Sequence, residues 1–434
     1  MSLKVEPFLY SYIIKNKSDN IILSFNKPKF KKVVLKNNKP YEGICNAYYT
    51  IIYDNNEYKM YYRANNQNIW KNEKKKIYKR TPELAKTELF CLATSKNGLD
   101  FKKNNYKLVK YKNNKKNNIL LKNNFCHNFY PFFLESKKKF YGVSGTQLFN
   151  KGLFLFESKN GINWIKKKKI INETDLLQDF FHKNHFDSHN NIVYNKNEDL
   201  FYIYMRDNKK NRRFVQFTKT KDFVKFSKVK NINIKNENGM EIYTPNIFIY
   251  PDSDYFISIP TIRPDRIINN VISKKCNTLL ISKDGENWEI INNQLFDDSQ
   301  NRMFINSFVK SPDKKEIFFY LHENISNINN HIKCYSYEIN RIHKIFSKEE
   351  GFIQTELINL KNNIIKINFK TIDNGYINVN IYNSNNDLIL YSKNNSGNFY
   401  DLIINWEKNL EINGNYYIKF NLCNCYLYSF LYFN

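Results

Sequence analysis

The chain contains almost no alanine, and its composition leans instead on isoleucine, tyrosine and phenylalanine, residues that favour pleated strands over helices. The seven cysteines, at positions 45, 91, 126, 276, 334, 423 and 425, form no CxxC pair and lack the spacing of a secreted disulfide framework. They read as buried thiols in a reducing compartment. No apolar run reaches membrane-spanning length, and the start, Met-Ser-Leu-Lys-Val-Glu-Pro, has no charged segment leading into an apolar one. A cytoplasmic protein that does not enter a membrane is therefore expected. Acidic residues are also in deficit: 68 Lys and Arg against 41 Asp and Glu leave a formal charge of +27.

Such a charge raises nucleic acid or an anionic surface as partners, because clustered cations release counterions from phosphates. Here the lysines are spread through nearly every turn alongside asparagine, as in 71–79, 110–116 and 166–169. That distribution reads as solvated turns, and nucleic acid is not the expected partner. Arginine is sparse, at 63, 80, 206, 212, 213, 263, 266, 302 and 341. In a chain so rich in lysine, a retained guanidinium points to planar, bidentate contacts that an ammonium cannot make.

A chain of 434 residues with 42% hydrophobic content exceeds one ordinary core, so a large domain and a smaller one are expected. A short pattern recurs at Ser95-Lys-Asn-Gly-Leu-Asp-Phe101, Ser158-Lys-Asn-Gly-Ile-Asn-Trp164, Thr220-Lys-Asp-Phe-Val-Lys-Phe226 and Ser282-Lys-Asp-Gly-Glu-Asn-Trp288. A weaker copy stands at Ser347-Lys-Glu-Glu-Gly-Phe352, and the spacings are 62 to 65 residues. Self-similarity at this period marks a propeller or an array. Each copy is a strand end, a tight turn and a return strand opening on an aromatic residue. Ahead of the copies lie hairpins of alternating aromatics, 48–52 with 58–62, 129–134 with 140–144, 192–194 with 201–205, 247–250 with 255–260, and 304–309 with 317–321. These are the expected inner strands of five four-stranded blades.

The expected fold is all-β: a five-bladed β-propeller over 1–350, with the N-terminal segment bracing the ring, followed by a β-sandwich over 351–434. Beyond Phe352 the pattern becomes short alternating strands at 360–369, 376–382, 388–391, 400–406, 416–422 and 427–432, with Gly375, Gly397 and Gly414 near the turns.

In a propeller the residues just before each inner strand crowd one mouth, the usual place for a small-ligand pocket. Those positions hold Glu42; His127 and Asn128; Asp187, His189 and Asn190; Glu241 and Tyr243; and Arg302. Second strands end on Arg63, Arg206 and Arg263, the last followed by Asp265.

The layout and the Ser-x-Asp-Gly-x-x-Trp hairpins resemble the five-bladed propeller glycosidases, the superfamily of the invertase and levansucrase group and the arabinanase and β-xylosidase group. With the appended strands ending Cys-Tyr-Leu-Tyr-Ser-Phe-Leu-Tyr-Phe, the chain is most similar in layout to bacterial glycosidase-like proteins of that superfamily. Those families place one carboxylate on each of several inner strands, and by position Asp187, Glu241 and Glu42 match them. The chain departs from the pattern in having no Asn-Asp-Pro in the first blade and no Arg-Asp-Pro in the second, where His127-Asn128-Phe129-Tyr130-Pro131 stands.

The resemblance implies cleavage of a glycosidic bond by a carboxyl pair, by hydrolysis or with phosphate as the attacking group. Glu241, in an expected apolar surround, would be the acid and Asp187 the base or nucleophile, with Glu42 orienting the sugar or replacing either. Arg63, Arg206, Arg263 and Arg302 would suit an anionic sugar. The other named groups, His127, Asn128, His189, Asn190, Tyr243 and Asp265, would contact substrate, and no cofactor is expected.

Plainer roles stand beside these: a turn cap for Asp187, a rim ion pair for Glu241, satisfied structural imidazoles for the histidines, and a non-catalytic glycan-binding propeller for the whole. His182, His185, Asp187 and His189 could together hold zinc, but His185, Asp187 and His189 share a face only if the strand already starts at His185, with Phe186 then pointing opposite, so no metal site is expected.

Overall fold

The computed structural model describes residues 3–9, 13–44, 46–65, 88–146, 152–177, 185–209, 212–237, 239–262, 267–268, 271–272, 277–292, 295–296, 302–325, 327 and 329–434. Four antiparallel sheets follow one another along the chain. Blade one is Ala47–Asp54, Glu57–Asn65, Glu88–Ser95 and Ile119–Leu121, and blade two is Tyr130–Leu134, Lys139–Thr146, Gly152–Ser158 and Ile165–Ile171. Blade three is Asn191–Asn195, Leu200–Lys209, Arg212–Thr220 and Lys230–Asn231; blade four is Ile247–Ile249, Phe256–Ser258, Leu279–Ser282 and Asn287–Asn292, with Asn233–Lys235 added in parallel along its outer edge. Blade five takes three strands in sequence, Arg302–Lys310, Glu316–Glu323 and His331–Glu338, and its fourth, Lys29–Lys36, from before blade one.

That borrowed strand closes the ring. The innermost strands touch in the cyclic order one, two, three, four, five and back to one, where Asn306 pairs in parallel with Thr50. Five apolar cores fill the gaps in the same order. Tyr58, Met60 and Tyr62 meet Phe318 and Tyr320 between blades five and one, and Tyr61 and Phe90 meet Phe129 and Phe140 between one and two. Burial on both faces explains why Met60, Tyr61 and Tyr62, in the middle of Glu57–Asn65, are apolar without a break.

The recurrent hairpin is a latch between blades. Its Ser or Thr hydroxyl accepts the N–H three residues on, in Gly161, Phe223 and Gly285, and the Asn or Asp between them accepts the two N–H groups that follow. The glycine carbonyl then takes a phenol from the preceding blade: Tyr61 to Gly161 at 3.0 Å, Tyr204 to Gly285 at 2.8 Å and Tyr320 to Gly98 at 2.8 Å. At Gly161, φ is +72° and an added Cβ would lie 2.3 Å from the Tyr61 hydroxyl. A Gly161→Ala variant is therefore expected to lose about 2 kcal/mol or more of stability, read as a lowered urea midpoint. Blade three has Phe223 in this place with φ +58°, and its ring lies 5.8 Å from that of Tyr141 on blade two, a ring contact in place of the phenol hydrogen bond.

The fifth copy of the pattern does not belong to the ring. Blade five's third strand ends at Glu338, and Ser347 to Gly351 instead joins His343–Ser347 to Gly351–Thr355 in a separate C-terminal sheet. There, Ile365–Tyr382 and Gly414–Phe433 pair along most of their length. The strands expected at 360–369 and 376–382 are thus largely two halves of one, as are those at 416–422 and 427–432. Gly375 marks a bulge rather than a turn, since an added Cβ would sit 2.3 Å from the Asn424 carbonyl oxygen. Both halves close over one core that includes Phe369, Val379, Phe420 and Phe430.

The N-terminal strands Leu3–Glu6, Ile14–Lys17 and Ile22–Phe25 are part of this sheet, and the first also reaches blade four, where the Val5 N–H donates to Asp252 at 2.9 Å. Arg341 ties blade five to the sheet by donating to Asn368 and Asn398, each at 2.8 Å. Glu6, fully buried, accepts from Tyr255 at 2.5 Å, and burial pushes its carboxyl from 4.5 up to about 7. The folded state therefore holds a proton that the unfolded chain releases, so stability should fall by about 3 kcal/mol between pH 4.5 and 7 through this group. Urea midpoints across that range should fall less for Glu6→Gln than for the parent.

Candidate functional site

The first strand of blade one carries a bulge between Ala47 and Thr50, and within it Tyr48 adopts φ +55°, an unusual conformation for an aromatic residue. Tyr49 still stacks on Tyr62, ring centres 5.2 Å apart, within the core between blades. Tyr48 instead joins a polar cluster built where blades one to three meet. Ala47 pairs with Arg63 and Asn65 with Glu88, so the second strand's end and the third strand's start bring a guanidinium and a carboxylate together, 3.6 Å apart.

Blade two supplies His127. Its Nδ1 lies 2.9 Å from Glu88 and 2.9 Å from Arg63 Nη1, and its Nε2 lies 2.7 Å from Asp187 Oδ1. Asp187 Oδ2 faces Arg206 at 3.7 Å, and the Asp187 side chain keeps 33% of its surface exposed, whereas Glu88 keeps 2%. The result is a chain of groups, Glu88 to His127 to Asp187 to Arg206, whose outer carboxylate reaches solvent. Arg63 lies over the Tyr48 ring at 4.8 Å; Arg206 and Arg213 lie over Tyr243 at 5.7 and 5.3 Å. The two phenol oxygens are 3.4 Å apart, and Arg213 Nε is 3.8 Å from Glu241. Burial pushes the Tyr48 phenol well up, reinforced by Tyr243 and Asp187 and opposed by Arg63 and Arg206. It is a neutral hydrogen-bonding group.

The expected ligand contacts divide into those that reach the mouth and those that hold it. Asn128 and Asn190 are fully buried. Asn128 donates to the Phe186 carbonyl and accepts from Ser144 and Gly145, each at 3.1 Å; Asn190 donates to Phe186 at 3.4 Å and Ser188 at 3.1 Å. Both are buried and spend these hydrogen bonds on the loop that presents Asp187. His189 is likewise internal: it lies 3.3 Å from Thr50 and packs on Tyr48 and Tyr130, and burial drives its imidazole from 6.5 down to about 3. It stays neutral and supports Tyr48.

Glu42 is the clearest correction. It is fully buried, accepts from Tyr62 at 2.6 Å and the Lys39 N–H at 2.8 Å, and pairs with Lys103 at 2.6 Å. No face is left for a sugar. Glu241 lies beside Arg213 rather than against the apolar wall expected of it. Arg302 is buried opposite Glu323 on blade five. Arg263 and Asp265 lie outside the described residues, as does His182.

His185 turns away from Asp187 to Gln216, 3.2 Å away, and among the described residues no group of three metal-ligating side chains is placed to hold an ion. Among the described residues, three guanidinium groups of the cluster face carboxylates, Arg63 with Glu88, Arg206 with Asp187 and Arg213 with Glu241. This balance removes the charge argument for an anionic sugar at this point.

Tyr48, Glu88 and Arg213 are the site residues that sequence reasoning missed. Glu88 opens the third strand of blade one and Arg213 lies at the start of that of blade three. In an antiparallel meander the third strand starts at the end where the second finishes, so its opening residues reach the same mouth as Arg63 and Arg206.

No family model and no curated protein sequence matches the chain. Among solved structures, it is similar to a glycoside hydrolase family 43 arabinoxylan arabinofuranohydrolase from Bacillus subtilis, in complex with cellotetraose, at 8% identity and TM-score 0.41, covering 91% of this chain and 96% of that one. It is also similar to an N-acetylgalactosamine deacetylase from F. plautii, in complex with a blood group B trisaccharide, at 11% identity and TM-score 0.42, covering 92% and 95%. A Penicillium chrysogenum alpha-L-arabinanase complexed with arabinobiose gives 10% identity and TM-score 0.39 over 73% and 100%. Likenesses this distant bring no chemistry to this chain.

Proposed function

We propose that the mouth of the ring hydrolyses a glycosidic bond, with Asp187 as base or nucleophile and Glu241 as acid. The observation that carries this reading is the Asp187 carboxyl, partly exposed, oriented by His127 at 2.7 Å and faced by Arg206 at 3.7 Å. Glu241 would donate its proton to the leaving oxygen, freeing the alcohol, while Asp187 either takes a proton from the water that attacks the anomeric carbon or attacks that carbon itself; in the second case water, deprotonated by Glu241, then breaks the glycosyl ester, and either route ends in an alcohol and a hemiacetal. His127, backed by Glu88, fixes which Asp187 oxygen is free to react. Tyr48 and Tyr243 offer hydroxyls to a sugar ring. Hydrolysis is preferred to phosphorolysis because the guanidinium groups that would hold phosphate already face carboxylates.

A second reading, glycan binding without cleavage, is favoured by one specific fact: blade one's expected carboxylate, Glu42, is internal, and blade two offers an imidazole instead. The two readings separate in an assay of aryl glycosides and oligosaccharides with the parent protein and an Asp187→Asn, Glu241→Gln double variant. Cleavage requires turnover by the parent and loss in the variant. Equal rates in both would remove the residue assignment.

A further inference from the structure

The outer edge of blade two meets the outer hairpin of blade three at a cleft of about 440 Å³. Its rim carries Lys137, Lys167, Lys168 and Lys221. A regular strand would send Lys167 and Lys168 to opposite faces. Two bulges in the pairing of Gly152–Ser158 with Ile165–Ile171 change that: Lys169 pairs with Phe154, Lys168 with Leu155 and Lys166 with Phe156, so Ile170 and Lys167 are the extra residues. Lys167 and Lys168 both face the cleft, while Lys166 and Lys169 both lie over Phe154 on the other side, at 5.5 and 5.7 Å.

The two carboxylates of the cleft are already engaged. Glu157 pairs with Lys139 at 2.9 Å and lies 3.8 Å from Lys167; Asp222 accepts the N–H groups of Val224 and Lys225 at 2.8 and 2.9 Å. Lys137 and Lys168 form no ion pair with a described residue. The floor is aromatic but closed, with Tyr141 7%, Phe201 2% and Phe223 6% exposed.

We propose that this cleft binds a segment of anionic polysaccharide, its carboxylate or sulfate groups on the lysine rim. The volume suits one or two sugar rings. Nucleic acid is disfavoured because single-strand binding rests on open aromatic faces for base stacking, and these rings are packed against one another. The site is separate from the mouth and does not depend on the catalytic reading.

The test is fluorescence anisotropy of the full chain at low salt with fluorescein-labelled polygalacturonate and dextran sulfate oligosaccharides, and with neutral dextran. A Lys167→Glu/Lys168→Glu variant should bind at least one anionic probe about tenfold more weakly or worse, with a shallower salt dependence. A Lys361→Glu/Lys370→Glu variant, changing the same charge on the C-terminal sheet, should bind within about twofold of the parent. Selective loss with either anionic probe supports the site and says which anionic group it takes. Equal loss in both variants, no binding of either probe by the parent, neutral dextran binding as well as the anionic chains, or displacement by single-stranded DNA at lower charge concentration overturns it. Both changes are at exposed positions, and circular dichroism identifies a variant that has failed to fold; Lys167→Gln/Lys168→Gln then replaces it.

Discussion

An Asp187→Asn variant should lose about 10³-fold or more in turnover of whichever glycoside the parent cleaves, with little change in KM. Asparagine keeps the size of the side chain, and its amide oxygen can still accept from His127, so the brace of Asn128, Asn190 and Ser188 stays in place. What disappears is the second carboxylate oxygen facing Arg206, and with it the group that attacks or removes a proton. Initial rates on aryl glycosides, with the variant's urea midpoint alongside, check this. A variant within about tenfold of the parent would mean that Asp187 only holds the loop.

Glu42→Ala should do the opposite: cost about 3–5 kcal/mol of stability and leave turnover per folded molecule unchanged within about twofold. The carboxylate is fully buried between Tyr62, the Lys39 N–H and Lys103. Burial already pushes the Lys103 ammonium down, and Glu42 is the main group opposing that. Removing Glu42 leaves a buried cation unpaired, which is far more costly than the pair itself is worth. The measurement is a urea midpoint together with rates normalised to folded protein. A stable but inactive variant would return Glu42 to the catalytic set.

How much of this was legible in the sequence depends on the range of the interactions involved. The inner hairpins were readable because alternation and turn chemistry are local, and the Ser-x-Asp-Gly hairpins because three glycines need positive φ against a neighbouring phenol. The closing strand Lys29–Lys36 was not, because its partner His331–Glu338 is about 300 residues away and no local signal names it. The Ser347 copy misled for a related reason: a hairpin pattern specifies a turn, not the sheet that receives it.

Position along the inner strands was enough to expect Asp187, His127, Arg63 and Arg206 in one cluster, where their side chains do meet. It was not enough to separate Asn128, Asn190 and His189, which face inward, from residues that face the opening. Glu42 failed because burial of a carboxylate depends on Lys103, 61 residues on. Tyr48 lies in a run expected only as an inner strand, and no local pattern announces the bulge that brings it to the mouth while Tyr49 stays in the core. Scarce arginine was a sound guide to planar contacts, and Arg341 shows that such contacts can serve packing, with its guanidinium at 4.1 and 4.4 Å from the rings of Tyr400 and Tyr428.

The most direct measurement is reducing-end release by the parent protein from a panel of oligosaccharides, read beside calorimetric binding of the same sugars. The account predicts that at least one bound sugar is cleaved and that the cleavage is lost in Asp187→Asn while binding remains. A sugar bound at the mouth, displaced by changes at Tyr48 or Tyr243, with none of the panel cleaved, would contradict it and leave a binding propeller.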